Sequence, residues 1–209
     1  MSDTTISGTA AGRAAEPFAA TCAWLGLGLT ALAAAIGLIS VSPHVTVPPM
    51  GTERVYTASA ASMEPLIRVG ERFLVNSNYY ATHEPRRGDV VVYTQPERRG
   101  EVGFKRIAAL GGDRIALMRG IAVVNGAPAD EPYAKIVDPA SAVNNVPETI
   151  VPQGFVFVLG DNRDNSEDSR STRTHGLVPL DNIVSAATYM VWSPDVRRIG
   201  KWIGTPPAL

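Results

Sequence analysis

Beyond residue 53 the chain holds no long stretch of apolar residues at helical spacing. Short β-branched or aromatic runs recur in its place, bounded by Gly, Pro, Asn or Asp. They are Arg54–Ala58, Arg72–Asn76, Asp89–Thr94, Gly103–Leu110, Arg114–Met118, Ile121–Val124, Phe155–Leu159 and Ile183–Val191. A chain punctuated in this way must bury its apolar faces by packing small sheets together. The expected fold is therefore mostly β, with several twisted antiparallel sheets in one domain over residues 54–209. Asn125-Gly126 after Val123-Val124 predicts a tight hairpin. Pro128 to Pro152 is polar and interrupted by prolines, and reads as a loop or small insertion near 125–152.

The N-terminal segment has another character. Residues 1–17 are rich in Ser, Thr, Ala and Gly, carry only Asp3, Arg13 and Glu16 as charges, and read as a flexible tail. From Phe18 to Val41, 24 residues carry no charge. At ~1.5 Å per residue this is enough to cross a hydrocarbon core of roughly 30 Å. The stretch is longer than the apolar part of a cleaved leader, and its small-x-small site Ser40-Val41-Ser42 is followed by Pro43, so it reads as an uncleaved transmembrane anchor. Arg13 is offset by Glu16, so the flanking charges do not settle its orientation. Residues 42–53, with Pro43, Pro48 and Pro49, form a stiff linker. What remains suits one hydrophobic core. Nineteen basic against 20 acidic residues, with no basic stripe, argue against a nucleic-acid partner. The one cysteine, Cys22, lies in the apolar stretch and makes no disulfide within the chain.

Three segments carry chemistry. In Ala58-Ser59-Ala60-Ala61-Ser62-Met63-Glu64-Pro65-Leu66, a serine followed by methionine and then proline, just after a run that can lie extended, is how an exposed nucleophile at a strand end is written. No His-Asp pair stands near it. In Gly103-Phe104-Lys105-Arg106-Ile107-Ala108-Ala109-Leu110, Lys105 sits among apolar residues, where desolvation lowers an ammonium pKa and a neutral amine can take the serine proton. The third segment is Gly160-Asp161-Asn162-Arg163-Asp164-Asn165-Ser166-Glu167-Asp168-Ser169-Arg170. Alone it also reads as a solvated acidic turn or a calcium loop, but its spacing lacks the EF-hand ligand pattern.

Ser-Met-x-Pro, then Arg87-Gly88-Asp89-Val90-Val91-Val92, Lys105-Arg106 with Gly112-Asp113, and Gly-Asp-Asn-Arg-Asp-Asn-Ser-x-Asp-Ser-Arg resemble, in order, the motifs of the type I signal (leader) peptidases. The similarity runs from about Val55 to Val184. It implies a membrane-anchored serine endopeptidase of the bacterial cytoplasmic membrane, with a cytoplasmic tail, an extracytoplasmic catalytic domain, and neither metal nor cofactor. Ser62 is then the nucleophile and Lys105 the general base. Ser166 is implied to hydrogen-bond the amine with Asp168 close by, while Asp161, Arg106 and Arg170 form charge pairs that stiffen the loop. Gly160 is read as a packing glycine that spares the lysine from crowding. Signal-peptide-bearing preproteins and the lipid bilayer are the expected partners. The substrate is expected to add as a strand near Tyr56, Ala58, Ser59 and Ala60, with small side chains selected by Met63, Ile67, Phe104 and Tyr56. Trp192 and Trp202 are candidates for the membrane surface by residue type. Glu64 and Leu66 have no assigned role.

The sequence departs from the family pattern in three places. Ala60 replaces a serine that supplies a second oxyanion donor in one branch. Ala109-Leu110-Gly111-Gly112-Asp113 lacks the usual turn proline. Ser171-Thr172-Arg173-Thr174-His175-Gly176 is longer than usual, with His175 read as a surface loop residue. The alternatives are a specialised pilin- or conjugation-processing peptidase of the same superfamily and a non-catalytic membrane-tethered binding module.

Overall fold

The computed structural model describes residues 53–95 and 101–204. The expected tail, the anchor at 18–41 and the linker up to residue 52 lie outside the described residues. Among the described residues no helix is long and apolar enough to cross a membrane.

In chain order the strands are β1 (Glu53–Thr57), β2 (Arg72–Asn76), β3 (Val90–Thr94), β4 (Val102–Leu110), β5 (Arg114–Met118) and β6 (Ile121–Val124). They continue with β7 (Ala127–Pro128), β8 (Val146–Ile150), β9 (Phe155–Leu159), β10 (Val178–Pro179) and β11 (Ile183–Trp192). A seven-stranded sheet runs β1-β2-β11-β3-β4-β9-β10 and a four-stranded sheet runs β7-β6-β5-β8. The strand pairings are antiparallel, so the expected fold class holds for the described residues.

The large sheet is covered on both faces, which is why β3 can be the unbroken apolar run Val-Val-Val-Tyr. Val90 and Val92 join Met63, Ile67, Phe73 and Val75 in one buried cluster. Val91 and Tyr93 join Ile107, Val156, Val158 and Val178 in another. A third cluster binds the two sheets together, with Phe157 and Leu159 of β9 packed against Ile115, Leu117, Ala122 and Val124 of the small sheet. Strand β4 serves two clusters because its register against β9 shifts between Ile107 and Ala109. Such a bulge turns residues of equal parity toward different faces. Ile107 therefore faces Val158, and Ala109 lies with Phe157.

The Asn125-Gly126 hairpin is present. Both residues have positive φ (53° and 84°), and Val124 pairs with Ala127 across the turn. The stretch read as loop between Pro128 and Pro152 contains β8. This strand pairs only with β5 among the described residues and is largely exposed, so no apolar alternation announces it. His175 is not the surface residue expected. It is 7% exposed, and its Nε2 lies 2.5 Å from the Tyr93 hydroxyl. Gly103 makes room for that pair, since a Cβ there would stand 2.7 Å from Tyr93 Cζ and Oη.

Candidate active site

Strand β1 delivers the chain into a loop closed by backbone. Ala58 N donates to Glu71 O at 2.9 Å and Gly70 N donates to Ala58 O at 2.8 Å. Glu71 is buried at the loop's end, where it accepts from Arg198, Ser193 and the Arg68 N–H. Burial pushes its carboxyl up, but these donors outweigh that and hold it below the usual carboxylate range. Within the loop, Ala61–Met63 form one 3-10 turn. Met63 is fully buried in the core, which pins the turn and fixes Ser62 beside it.

Ser62 and Lys105, the residues read from the sequence as nucleophile and base, lie side by side. Lys105 Nζ lies 2.9 Å from Ser62 Oγ, although the residues are 43 positions apart in the chain. Strand β4 makes the meeting possible, because it holds Lys105 in register opposite Val91 at the centre of the sheet. The two residues are 8% and 7% exposed. Burial is the largest influence on the Lys105 ammonium and lowers its pKa from the ordinary lysine value, while the charges of Asp168, Glu167 and Asp161 pull it back up. Nζ also donates to Phe104 O at 3.2 Å.

The Gly160–Arg170 segment packs around this pair. Arg106 grips Asp161 with two bonds, Nε to Oδ1 at 2.9 Å and Nη2 to Oδ2 at 2.7 Å, and its guanidinium lies 3.9 Å from the Tyr133 ring centroid. Burial opposes the Arg106 charge, but Asp161 more than offsets it and raises the pKa. Asp168 accepts from Arg170 and from the Gly160 N–H at 2.9 Å. Burial pushes the Asp168 carboxyl up, yet Arg170 and Gly160 outweigh it and leave it lowered. Ser166 adds to that lowering from nearby, but its buried Oγ makes no well-formed hydrogen bond. The expected Ser166–Lys105 bond is therefore not present.

Gly160 packs where a side chain does not fit. A Cβ there would stand 2.2 Å from Ser166 Oγ and 2.5 Å from the Ser62 carbonyl oxygen, so the atoms it meets first belong to Ser166 and to the Ser62 backbone.

The calcium reading fails on partners. Asp161 is taken by Arg106 and Asp168 by Arg170, while Asp164 accepts from the N–H groups of Val137 and Asp138. Among the described residues no group of three metal-ligating side chains occurs.

Three positioning contacts were not read from the sequence. Asn162 holds the nucleophile turn twice, through Nδ2 to Ala61 O at 3.0 Å and its own N–H to Ser62 O at 3.0 Å. Arg163 is 1% exposed and pairs with Glu131 at 2.7 Å, while bonding Gly160 O and Gly120 O. The 129–145 excursion is thereby tied to the motif loop, and Lys135 N donates to Asp161 O at 2.7 Å. A signal for Arg163 existed in the motif, but its acidic partner lay in a stretch that looked like polar loop.

Of the expected substrate contacts, Ser59 and Ala60 are exposed, and Tyr56 and Phe104 are partly buried against the core. Ala58, Met63 and Ile67 are core residues with at most 1% exposure, so they present almost no surface to a ligand. Strand β1 pairs only with β2 among the described residues and so lies at the edge of the large sheet. Trp202 packs edge-on against Tyr189, with its buried Nε1 unpartnered, while Trp192 is 46% exposed beneath Arg72.

A family model described as "Signal peptidase, peptidase S26" matches residues 29–192, well over half of the chain. Probable signal peptidase I-2 of Synechocystis is 33% identical over 182 residues, covering 85% of this chain and 76% of that protein. Probable signal peptidase I-1 of the same organism is 36% identical over 135 residues, covering 61% of this chain and 65% of the relative. Signal peptidase I of Bacillus caldolyticus is 35% identical over 147 residues, covering 66% of this chain and 78% of the relative.

Proposed function

The chain belongs to the signal peptidase family, peptidase S26, and on that premise we propose that it is a serine endopeptidase that cleaves signal peptides from preproteins, with Ser62 as nucleophile and Lys105 as general base. One observation carries the assignment of roles: a buried amine, lowered in pKa by that burial, 2.9 Å from a serine hydroxyl. Ser62 Oγ attacks the scissile carbonyl as its proton passes to Lys105 Nζ. The carbonyl electrons move onto oxygen, which takes a hydrogen bond from the Ser62 N–H. Lys105 returns the proton to the departing amine, the C–N bond breaks, and an ester on Ser62 remains. A water molecule, deprotonated by the same amine, then hydrolyses the ester and regenerates the serine. Arg106, Asp161, Asp168 and Arg170 keep the loop around the amine fixed through their ion pairs, with Ser166 packed beside Gly160.

The substrate adds as an extended strand to the open edge of β1. Tyr56, Ser59, Ala60 and Phe104 form its wall, and Ala58, Met63 and Ile67 set the depth from beneath. A shallow wall suits small side chains before the cleaved bond. The uncharged stretch 18–41 anchors the enzyme in the bacterial cytoplasmic membrane with this domain outside, which brings inserted preproteins within reach. Trp192, which is exposed, is the candidate for contact with the lipid surface by residue type.

The test is cleavage of a preprotein by the full-length chain. Wild type cuts, whereas Ser62→Ala and Lys105→Ala do not. Equal, nonzero cleavage by all three overturns the mechanism.

A further inference from the structure

Resting on the reading of Ser62 as nucleophile, we infer that Asn162 positions the oxyanion-binding peptide, holding the Ala61–Ser62 amide so that its N–H faces the substrate carbonyl. The argument begins with covalent geometry. The Ala61–Ser62 bond is not among the cis peptides, so the Ala61 C=O and the Ser62 N–H lie in one plane and point in opposite directions. Whatever fixes that carbonyl fixes the N–H. Asn162 Nδ2 donates to Ala61 O at 3.0 Å, and the Asn162 N–H donates to the next carbonyl, Ser62 O, also at 3.0 Å. Both peptide planes of the nucleophile turn are thus held from the motif-loop side, and the Ser62 N–H is left pointing away from that loop.

The clamp is itself rigid. Asn162 is 4% exposed and sits between two fixed neighbours, Asp161 in its Arg106 pair and Arg163 in its Glu131 pair. Its backbone also forms a parallel bridge with Lys135. Within the turn the Glu64 N–H also donates to Ala61 O, at 3.2 Å, so Asn162 supplies the shorter of the two bonds to that carbonyl. The demand for such a clamp is high here. With alanine at residue 60, the side chain two positions before the nucleophile donates nothing, and the backbone N–H of Ser62 carries more of the oxyanion's charge.

Asn162→Asp keeps the shape of the side chain and removes the donor; Asn162→Ala removes both. The reaction is followed on a signal-peptide substrate together with binding of a peptide aldehyde, whose adduct on Ser62 places an oxygen where the oxyanion forms. Both variants should lose about 10- to 100-fold in kcat with KM little changed, since losing an oxyanion donor outright costs about 100- to 1,000-fold and misdirecting one costs less. Aldehyde affinity should fall with kcat in both variants, while in Asn162→Ala, which adds no charge, the acid limb of the pH profile, set by Lys105, stays in place. Ala60→Ser in the Asn162→Ala chain supplies an independent hydroxyl donor and should recover part of the loss. Unchanged aldehyde affinity in Asn162→Asp, or a kcat loss in Asn162→Ala matched by a shifted acid limb, overturns the inference. Ser62→Ala in the same assay separates the two levels. If it still cleaves like wild type, the catalytic reading itself falls; if it is dead while both Asn162 variants are fully active, only the clamp falls.

Discussion

One methyl group at residue 160 tests how rigidly the nucleophile turn is held. A Cβ there would stand 2.2 Å from Ser166 Oγ, 2.5 Å from Ser166 Cβ and 2.5 Å from the Ser62 carbonyl oxygen. Unstrained non-bonded carbon contacts lie near 3.5 to 4.0 Å, so something must move by about 1 Å. The Ser166 side chain can give way, since its hydroxyl gives up no well-formed bond by turning. The Ser62 carbonyl cannot turn freely, because Asn162 N holds it at 3.0 Å and the following residue, Met63, is locked in the core. The movement is therefore passed to Ser62 and lengthens its 2.9 Å contact with Lys105. A misplacement of about 1 Å costs about 100-fold in rate. Overpacking costs about 1 to 3 kcal/mol in stability. Gly160→Ala should accordingly lose about 100-fold in kcat/KM, measured on a signal-peptide substrate, and melt at lower temperature. Adding Ser166→Gly removes the two Ser166 contacts and leaves the carbonyl contact. Relative to Ser166→Gly alone, the double variant should still melt at lower temperature and still cleave slowly, because the carbonyl contact remains. A Gly160→Ala enzyme within about twofold of wild type, or a double variant that regains the rate, would refute the reasoning.

The remaining predictions concern charge. In the proposed mechanism only the uncharged Lys105 amine accepts the Ser62 proton, so kcat/KM should fall as pH drops through its burial-lowered pKa. Glu167 is one of the charges that pull this pKa back up, so Glu167→Gln should move the acid limb of the profile to lower pH; movement upward contradicts the electrostatic account. Arg163 and Glu131 are 1% and 2% exposed as side chains. Glu131→Gln leaves a buried cation without its counter-charge and should cost about 3 to 5 kcal/mol, read from the denaturant midpoint at unchanged slope. A loss below about 1 kcal/mol would mean that the pair does not hold the insertion to the motif loop.

What could be read from sequence follows how each element is encoded. Strands β2, β5, β6 and β9 were legible to the residue because their patterns alternate or are continuously apolar and end at turn formers. Strand β8 carries Pro147 and Glu148 on an exposed edge, and β10 is two residues long, so neither has a periodic signature. Ser62 and Lys105 were legible through their motifs, but the orientation of the Ser166 hydroxyl was not, since it depends on packing against Gly160. His175 was misread because its burial rests on a space left by Gly103, 72 positions earlier, over Tyr93. Glu131 and Asn162 act through contacts that the topology creates, and nothing local in their neighbourhoods announces a partner.

The edge position of β1 has a colloidal consequence. On the proposed mode of substrate addition, that edge is also a template for any extended polypeptide, another molecule of the same enzyme included. Its defence is modest: the strand is five residues long and opens with Glu53 and Arg54, a brief and charged border that gives stray chains little to zip onto. Lengthening that border or exchanging its charges for valines would trade peptidase readiness for self-association, visible as aggregation that added substrate peptide suppresses.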